Sequence, residues 1–138
     1  MHILEQIVEK ERTVCIIDDD KIQHFIHERC LQQHGLSRPM MSFFDGADAL
    51  SFLHQHAEDL SVLPDIIFLD LNMPKLSGLQ FLEQYACLKD RLKKHIRIYI
   101  LSSCINKQEM DLVTSNSEVS GFYSKPLRPH ELHTILAG

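Results

Sequence analysis

The chain has 138 residues, 44% hydrophobic and 24% charged, which suits one globular domain and excludes collagen-like, low-complexity and disordered classes. Lys and Arg number 14 against 19 Asp and Glu, a formal charge of -5, so no electrostatic footprint for nucleic acid or an anionic membrane is present. The longest apolar runs, such as Ile66 to Leu69 and Ile98 to Leu101, fall far short of the ~20 residues that cross a bilayer.

Met1 to Lys10 mixes His2, Glu5, Glu9 and Lys10 with apolar positions, unlike a secretory signal, and the expected compartment is the cytoplasm. Met1 to Glu11 carries Ile3, Leu4, Ile7 and Val8 at helical spacing, and the chain divides into an extension over 1–12 and a domain over 13–138. Thr13 to Ile17 reads as a buried strand stopped by Asp18, Asp19 and Asp20. Ile22, Phe25, Ile26 and Cys30 then recur at helical spacing, a stripe that predicts the inner face of a helix ended by Gly35. Met40 to Phe44 reads as a second strand, followed by a helix with Ala49, Leu50, Phe52 and Leu53 inward.

Asp65 to Leu69 forms a third strand and again terminates in a carboxylate, Asp70. Ser77 caps the next helix, which turns Leu79, Leu82 and Tyr85 or Ala86 inward. Leu88 to His95 is basic and expected to be solvated; Ile96 to Leu101 is a fourth strand ending in Ser102 and Ser103. Asn106 and Glu109 form a near capping box for a helix with Met110 and Val113 inward. Gly121 to Ser124 is a short fifth strand ending at Lys125 and Pro126, and Pro129 opens a last helix through Leu132 and Leu136.

Five strands alternating with five helices predict an α/β, doubly wound parallel sheet of flavodoxin-like strand order 2-1-3-4-5, with ligands at the carboxyl ends of the strands. Those ends carry Asp18 to Asp20, Asp70, Ser102 and Lys125. If the first and third strands are neighbours, several carboxylates converge and need a counter-charge, and an all-oxygen site suits Mg²⁺. A carboxylate beside a divalent ion, an ammonium and a hydroxyl is also a set of parts for phosphoryl transfer onto aspartate, with Asp70 the candidate nucleophile.

Cysteines 15, 30, 87 and 104 lie far apart without a C-x-x-C pair and read as buried thiols. The nine histidines show no metal-ligand spacing; His24 and His27 can share a helix face, for which a solvated surface is the expectation.

The chain resembles the receiver domains of two-component response regulators, which are CheY-like. The resemblance rests on Ile-Ile-Asp-Asp-Asp at 16 to 20, Asp-Leu-Asn-Met-Pro at 70 to 74 followed by Ser77-Gly78, Leu-Ser-Ser at 101 to 103, and Lys125-Pro126. It implies that Asp70 is the phosphoacceptor, that Asp19 is a direct and Asp18 a water-mediated Mg²⁺ ligand, and that Asn72 offers its backbone carbonyl to the ion. It further implies that Ser102 moves toward the phosphoryl group, that Lys125 pairs with it beside a cis peptide to Pro126, and that Phe122 is the aromatic of the switch, although an aromatic on a strand is ordinarily core. Asn72 and Cys104 stand where the family sets the hydrolysis rate.

The implied donor is a histidine kinase or histidine phosphotransfer protein. The protein would catalyse only its own phosphorylation and dephosphorylation. The signal would leave through the face of the fourth helix, fifth strand and fifth helix, which would also serve a homodimer. Because nothing follows the last helix, a stand-alone receiver is expected, with a fragment of a larger regulator or phosphorelay protein as the alternative. A haloacid-dehalogenase-type phosphatase would need a second acid at position 72, which is Asn, and three aspartates after the first strand would repel the phosphate of a flavodoxin-like FMN carrier; a non-phosphorylated flavodoxin-like binding module is the remaining alternative.

Overall fold

Alternating buried strands and amphipathic helices resolve into one sheet with a helical layer on each side. The computed structural model describes residues 12–35, 39–103 and 106–138. Along them run β1 (Val14–Ile17), α1 (Lys21–Gln33), β2 (Met41–Phe43), α2 (Gly46–Gln55), β3 (Ile66–Asp70), α3 (Gly78–Leu88), β4 (Arg97–Ser102), α4 (Lys107–Thr114), β5 (Val119–Ser124) and α5 (Pro129–Ala137), with a 3₁₀ turn at Lys89–Arg91. The strands are parallel in the order β2-β1-β3-β4-β5, so the predicted doubly wound architecture is the one observed. No helix among the described residues is long and apolar enough to cross a membrane.

The central strands are buried on both faces, which is why they read as continuous apolar runs rather than alternating ones. Cys15, Ile17, Ile67, Leu69, Ile98 and Ile100 pack beneath α2, α3 and α4. On the opposite face Val14, Ile16, Phe68, Tyr99 and Leu101 meet Leu31 of α1 and Leu132 and Ile135 of α5. Phe122 joins the first layer and Tyr123 the second, as the two-residue period of a strand requires.

Helix starts follow their caps. Asp20 accepts from the Ile22 N–H, Asp45 from Ala47 and Asn106 from Glu109, while Ser77 and Gln80 close a reciprocal capping box. Gly35, at φ 79°, takes the left-handed conformation just past α1.

Several sequence expectations are corrected. On α1, Ile22 and Phe25 are 68% and 63% exposed and Ile26 is exposed as well, whereas His24, His27 and Leu31 are buried. Hydrogen-bonding partners beneath the helix, described below, turn the imidazoles inward. Met110 is exposed because α4 has a single buried residue, Val113. On α3 Tyr85 rather than Ala86 is buried, joined by Phe81 and Leu88. β5 begins at Val119, two residues before Gly121, with a register irregularity at Ile98/Tyr99. Cys15 is buried, but Cys30 is half-buried and Cys87 exposed, all three as free thiols. Cys104 and the helical pattern of Met1 to Glu11 lie outside the described residues.

Candidate functional site

The sheet order brings the sequence-predicted groups to one edge. Ile17 pairs with Leu69, which sets Asp18 beside Asp70. Asp70 pairs with Leu101, just before Ser102, and Ser102 pairs with Ser124, just before Lys125. The Lys125 N–H donates to the Ser102 carbonyl at 3.0 Å, closing the line of strand ends.

Asp18, Asp19 and Asp70 each present a carboxylate oxygen within 4.8 Å of the others. The Lys125 ammonium stands 2.6 Å from Oδ2 of Asp18 and 3.4 Å from Oδ1 of Asp70, with its side chain almost wholly buried. Asp18 and Asp70 are buried and Asp19 is exposed, so two acids form the floor of the pocket and the third faces its mouth. Three carboxylates around one ammonium leave two negative charges in excess. A hard divalent cation with oxygen ligands fits that deficit, and Mg²⁺ needs only one or two carboxylates plus water.

Burial pushes the Asp70 carboxyl up to about 6, with Asp18 adding to the rise and Lys125 and the Asn72 N–H opposing it. That N–H donates to Asp70 Oδ1 at 3.2 Å, while Asn72 itself is exposed at the start of the loop after β3. Ser102 is fully buried at the end of β4. The Lys125–Pro126 peptide is cis, as the resemblance implied. Phe122 stands apart from this group: it packs in the core layer beneath α2 to α4, paired along the sheet with Ile100.

Three features escaped the sequence reading. Asp20 does not face the pocket; Asp18 Oδ1 accepts its N–H at 2.9 Å and its own carboxylate caps α1, so the acidic triplet divides into pocket and scaffold. Gly78 is required beneath Asp70, because a Cβ there would come within 2.8 Å of both the Asp70 carbonyl oxygen and Leu71 Cα. His24 Nε2 lies 2.6 Å from the Asp18 carbonyl oxygen, tying α1 to the pocket from below. The advance signals for these were the Ser77-Gly78 pair and, for His24, the helix face it shares with His27.

The response regulator receiver domain model matches residues 14–137. The chain belongs to that family. The receiver domain is 34% identical over 123 residues to a protein-glutamate methylesterase/protein-glutamine glutaminase of Treponema pallidum (strain Nichols), covering 87% of this chain and 28% of that protein. It is 31% identical over 126 residues to hybrid signal transduction histidine kinase L of Dictyostelium discoideum, covering 89% of this chain and 7% of that protein. The chain thus spans under a third of the length of these two relatives. A two component response regulator structure from Cytophaga hutchinsonii superposes with a TM-score of 0.80 at 22% identity, covering 92% of this chain and 96% of that one, which shows the shared fold. Receiver domains in general take phosphoryl groups from histidine kinases or phosphotransfer proteins onto aspartate and bind Mg²⁺ at an acidic pocket; this chain has an acidic cluster of Asp18, Asp19 and Asp70.

Proposed function

We propose that this receiver domain accepts a phosphoryl group on Asp70 from a phosphohistidine of a partner protein and uses it to alter a protein-binding face. The observation that carries this reading is the Lys125 ammonium held between Asp18 and Asp70 inside a three-carboxylate pocket. An Asp70 carboxylate oxygen attacks phosphorus, the P–N bond of the phosphoimidazole breaks, and its electron pair returns to the ring nitrogen, which regains a proton from water. The product is an acyl phosphate. Asp70 suits the role of nucleophile: its burial strips water from the carboxylate, and with a pKa of about 6 it is still ionised at neutral pH.

Asp19 directly, Asp18 through water, Asp70 and the Asn72 backbone carbonyl would hold Mg²⁺, which when bound supplies positive charge to the phosphoryl oxygens. Lys125 neutralises a second oxygen and the Ser102 hydroxyl donates to the third. Hydrolysis of the acyl phosphate resets the domain, so its catalysis is confined to its own phosphorylation and dephosphorylation.

Exposed Ile22 and Phe25 of α1 and Phe44, which follows β2, form an apolar rim at the same end of the sheet, where a protein donor rather than a small molecule gains from contact. Phe44 packs against the His24 ring at 4.2 Å, and Arg29 lies 5.8 Å from the Phe25 ring. Exposed Met110 and Leu112 of α4 support an output face formed by α4, β5 and α5, on which a target protein or a second copy would bind. The cytoplasm, where such donors reside, is the compartment this reading entails.

The test is incubation with acetyl phosphate and Mg²⁺. The wild type should gain the mass of one phosphoryl group and Asp70→Asn should not; equal labelling of the variant, or labelling without Mg²⁺, would sink the assignment. A paired Ile22→Asp/Phe25→Asp change should slow transfer from a protein phosphodonor and leave labelling by acetyl phosphate as it was.

A further inference from the structure

The acid pocket has a second layer beneath it, made of two imidazoles that the phosphoryl chemistry above does not use. His24 and His27 lie one turn apart on α1 and are 6% and 2% exposed. A carbonyl can only accept, so His24 Nε2, 2.6 Å from the Asp18 oxygen, carries the proton. The Leu127 N–H can only donate, and it points at His27 Nε2 at 3.4 Å, so that nitrogen is bare and the proton sits on Nδ1. The two Nε2 atoms therefore play opposite roles, donor in His24 and acceptor in His27, toward backbone groups 109 residues apart, Asp18 and Leu127. His27 is held neutral chiefly by burial, with Lys125 and His24 acting the same way against the Gln23 carbonyl and Asp18.

The segment from Lys125 to Leu127 offers two backbone donors, since Pro126 has none. The Lys125 N–H goes to the Ser102 carbonyl and the Leu127 N–H to His27, while the Leu127 side chain is buried with Leu31 of α1 and Leu132 of α5. The lysine thus sits on a strip of chain pinned on one side by β4 and on the other by α1. Losing the imidazole would leave a buried N–H without an acceptor, and the strip would have to move to hydrate it.

We propose that His27 is a positioning residue for phosphoryl transfer: by accepting from Leu127 it holds the strip after β5 so that the Lys125 ammonium stays between Asp18 and Asp70. The inference rests on the proposed role of Asp70 as phosphoacceptor, and it assigns His27 no contact with the phosphoryl group.

Three variants separate positioning from bulk stability. His27→Leu keeps apolar volume and removes the acceptor; His27→Gln places an amide oxygen near where Nε2 lies; His27→Asn carries the same amide one methylene too short. At saturating Mg²⁺ and acetyl phosphate, His27→Leu and His27→Asn should label Asp70 at least tenfold more slowly, and His27→Gln should recover most of the wild-type rate. Mn²⁺ affinity, read by titration, should change less than twofold in all three, because the acids are untouched. Independently of phosphorylation, the NMR resonance of the Lys125 ammonium, shielded from exchange by its carboxylates, should persist in wild type and His27→Gln and broaden away in the other two. If wild type takes no label, the phosphoacceptor reading fails while the ammonium resonance still decides the role of His27. A folded His27→Leu with wild-type rate and resonance, or a His27→Gln no better than His27→Asn, overturns the proposal.

Discussion

The two ends of the sheet use their charged groups in opposite ways. At the amino end a cleft of about 410 Å³ is lined by Tyr85, Lys89, Lys93, Lys94, His95 and Glu118, among others. Its cations are matched: Lys89 to Glu118 at 2.8 Å, Lys94 to Asp65 at 3.1 Å and, more loosely, Lys93 to Glu58 at 3.9 Å. At the carboxyl end three carboxylates share one ammonium. A matched set is already satisfied and gains little from a ligand; an unbalanced, buried set creates a demand that an ion and a phosphoryl group can meet. Imbalance, rather than cavity size or charge density, marks the site.

Substitutions at the two ends can break or sharpen this contrast. The largest effect belongs to Lys125→Met, which removes the ammonium that Asp18 and Asp70 share: labelling by acetyl phosphate should slow by about a hundred- to a thousandfold. A rate within threefold of wild type would show that the ammonium is not needed there.

Next comes a pH effect on stability without metal. The folded Asp70 carboxyl titrates at about 6 against an ordinary 3.8, so the native state holds its proton more tightly than the unfolded chain. That contribution is full below 3.8 and is lost as pH rises through 6. At neutral pH Asp70→Asn should therefore be more stable than wild type by up to ~3 kcal/mol, the gap closing toward pH 4 and, at neutral pH, on adding Mg²⁺. Chemical denaturation across pH 4 to 8 reads this directly, and a gap independent of pH contradicts it.

Gly78→Ala forces a Cβ against the Asp70 carbonyl and Leu71 and should cost roughly 1 to 3 kcal/mol, with a slower label because the β3 end must shift. The smallest effect is expected at the amino end. Lys94→Met loses an ion pair and a hydrogen bond to the Leu63 carbonyl, worth about 1 kcal/mol, and should leave the labelling rate unchanged. A clear rate loss there would dissolve the distinction between the two ends.

Much of this is legible in the amino-acid sequence. Strands that stop at carboxylates announced the pocket, because a buried run interrupted by charge must surface where it meets solvent, and the parallel order follows once strands alternate with helices. The face of α1 was not legible. Ile22, Phe25 and Ile26 satisfy the helical period, and period alone sends them inward; His24 and His27 go in instead because they satisfy the Asp18 carbonyl and the Leu127 N–H. Hydrophobicity patterns carry no record of an acceptor needed from a residue so distant in sequence. Met110 misled for a related reason: α4 is only eight residues long and lays one side chain, Val113, on the core. Gly121 obscured the start of β5 because it interrupts a strand that the pairing of Val119 with Ile98 nonetheless begins earlier.

The splitting of the acidic triplet has one more consequence. Asp18 binds the Asp20 N–H, and Asp20 binds the Ile22 N–H, so the first turn of α1 is stitched link by link to the pocket floor. The outward side chain of Ile22 consequently stands at a set distance from Asp70, with Phe25 one turn farther on. On the proposed reading, a phosphodonor protein seated on those two side chains would be held to a ruler anchored in the pocket, and one whose imidazole is set out of step would not reach the acid, however well its surface matches.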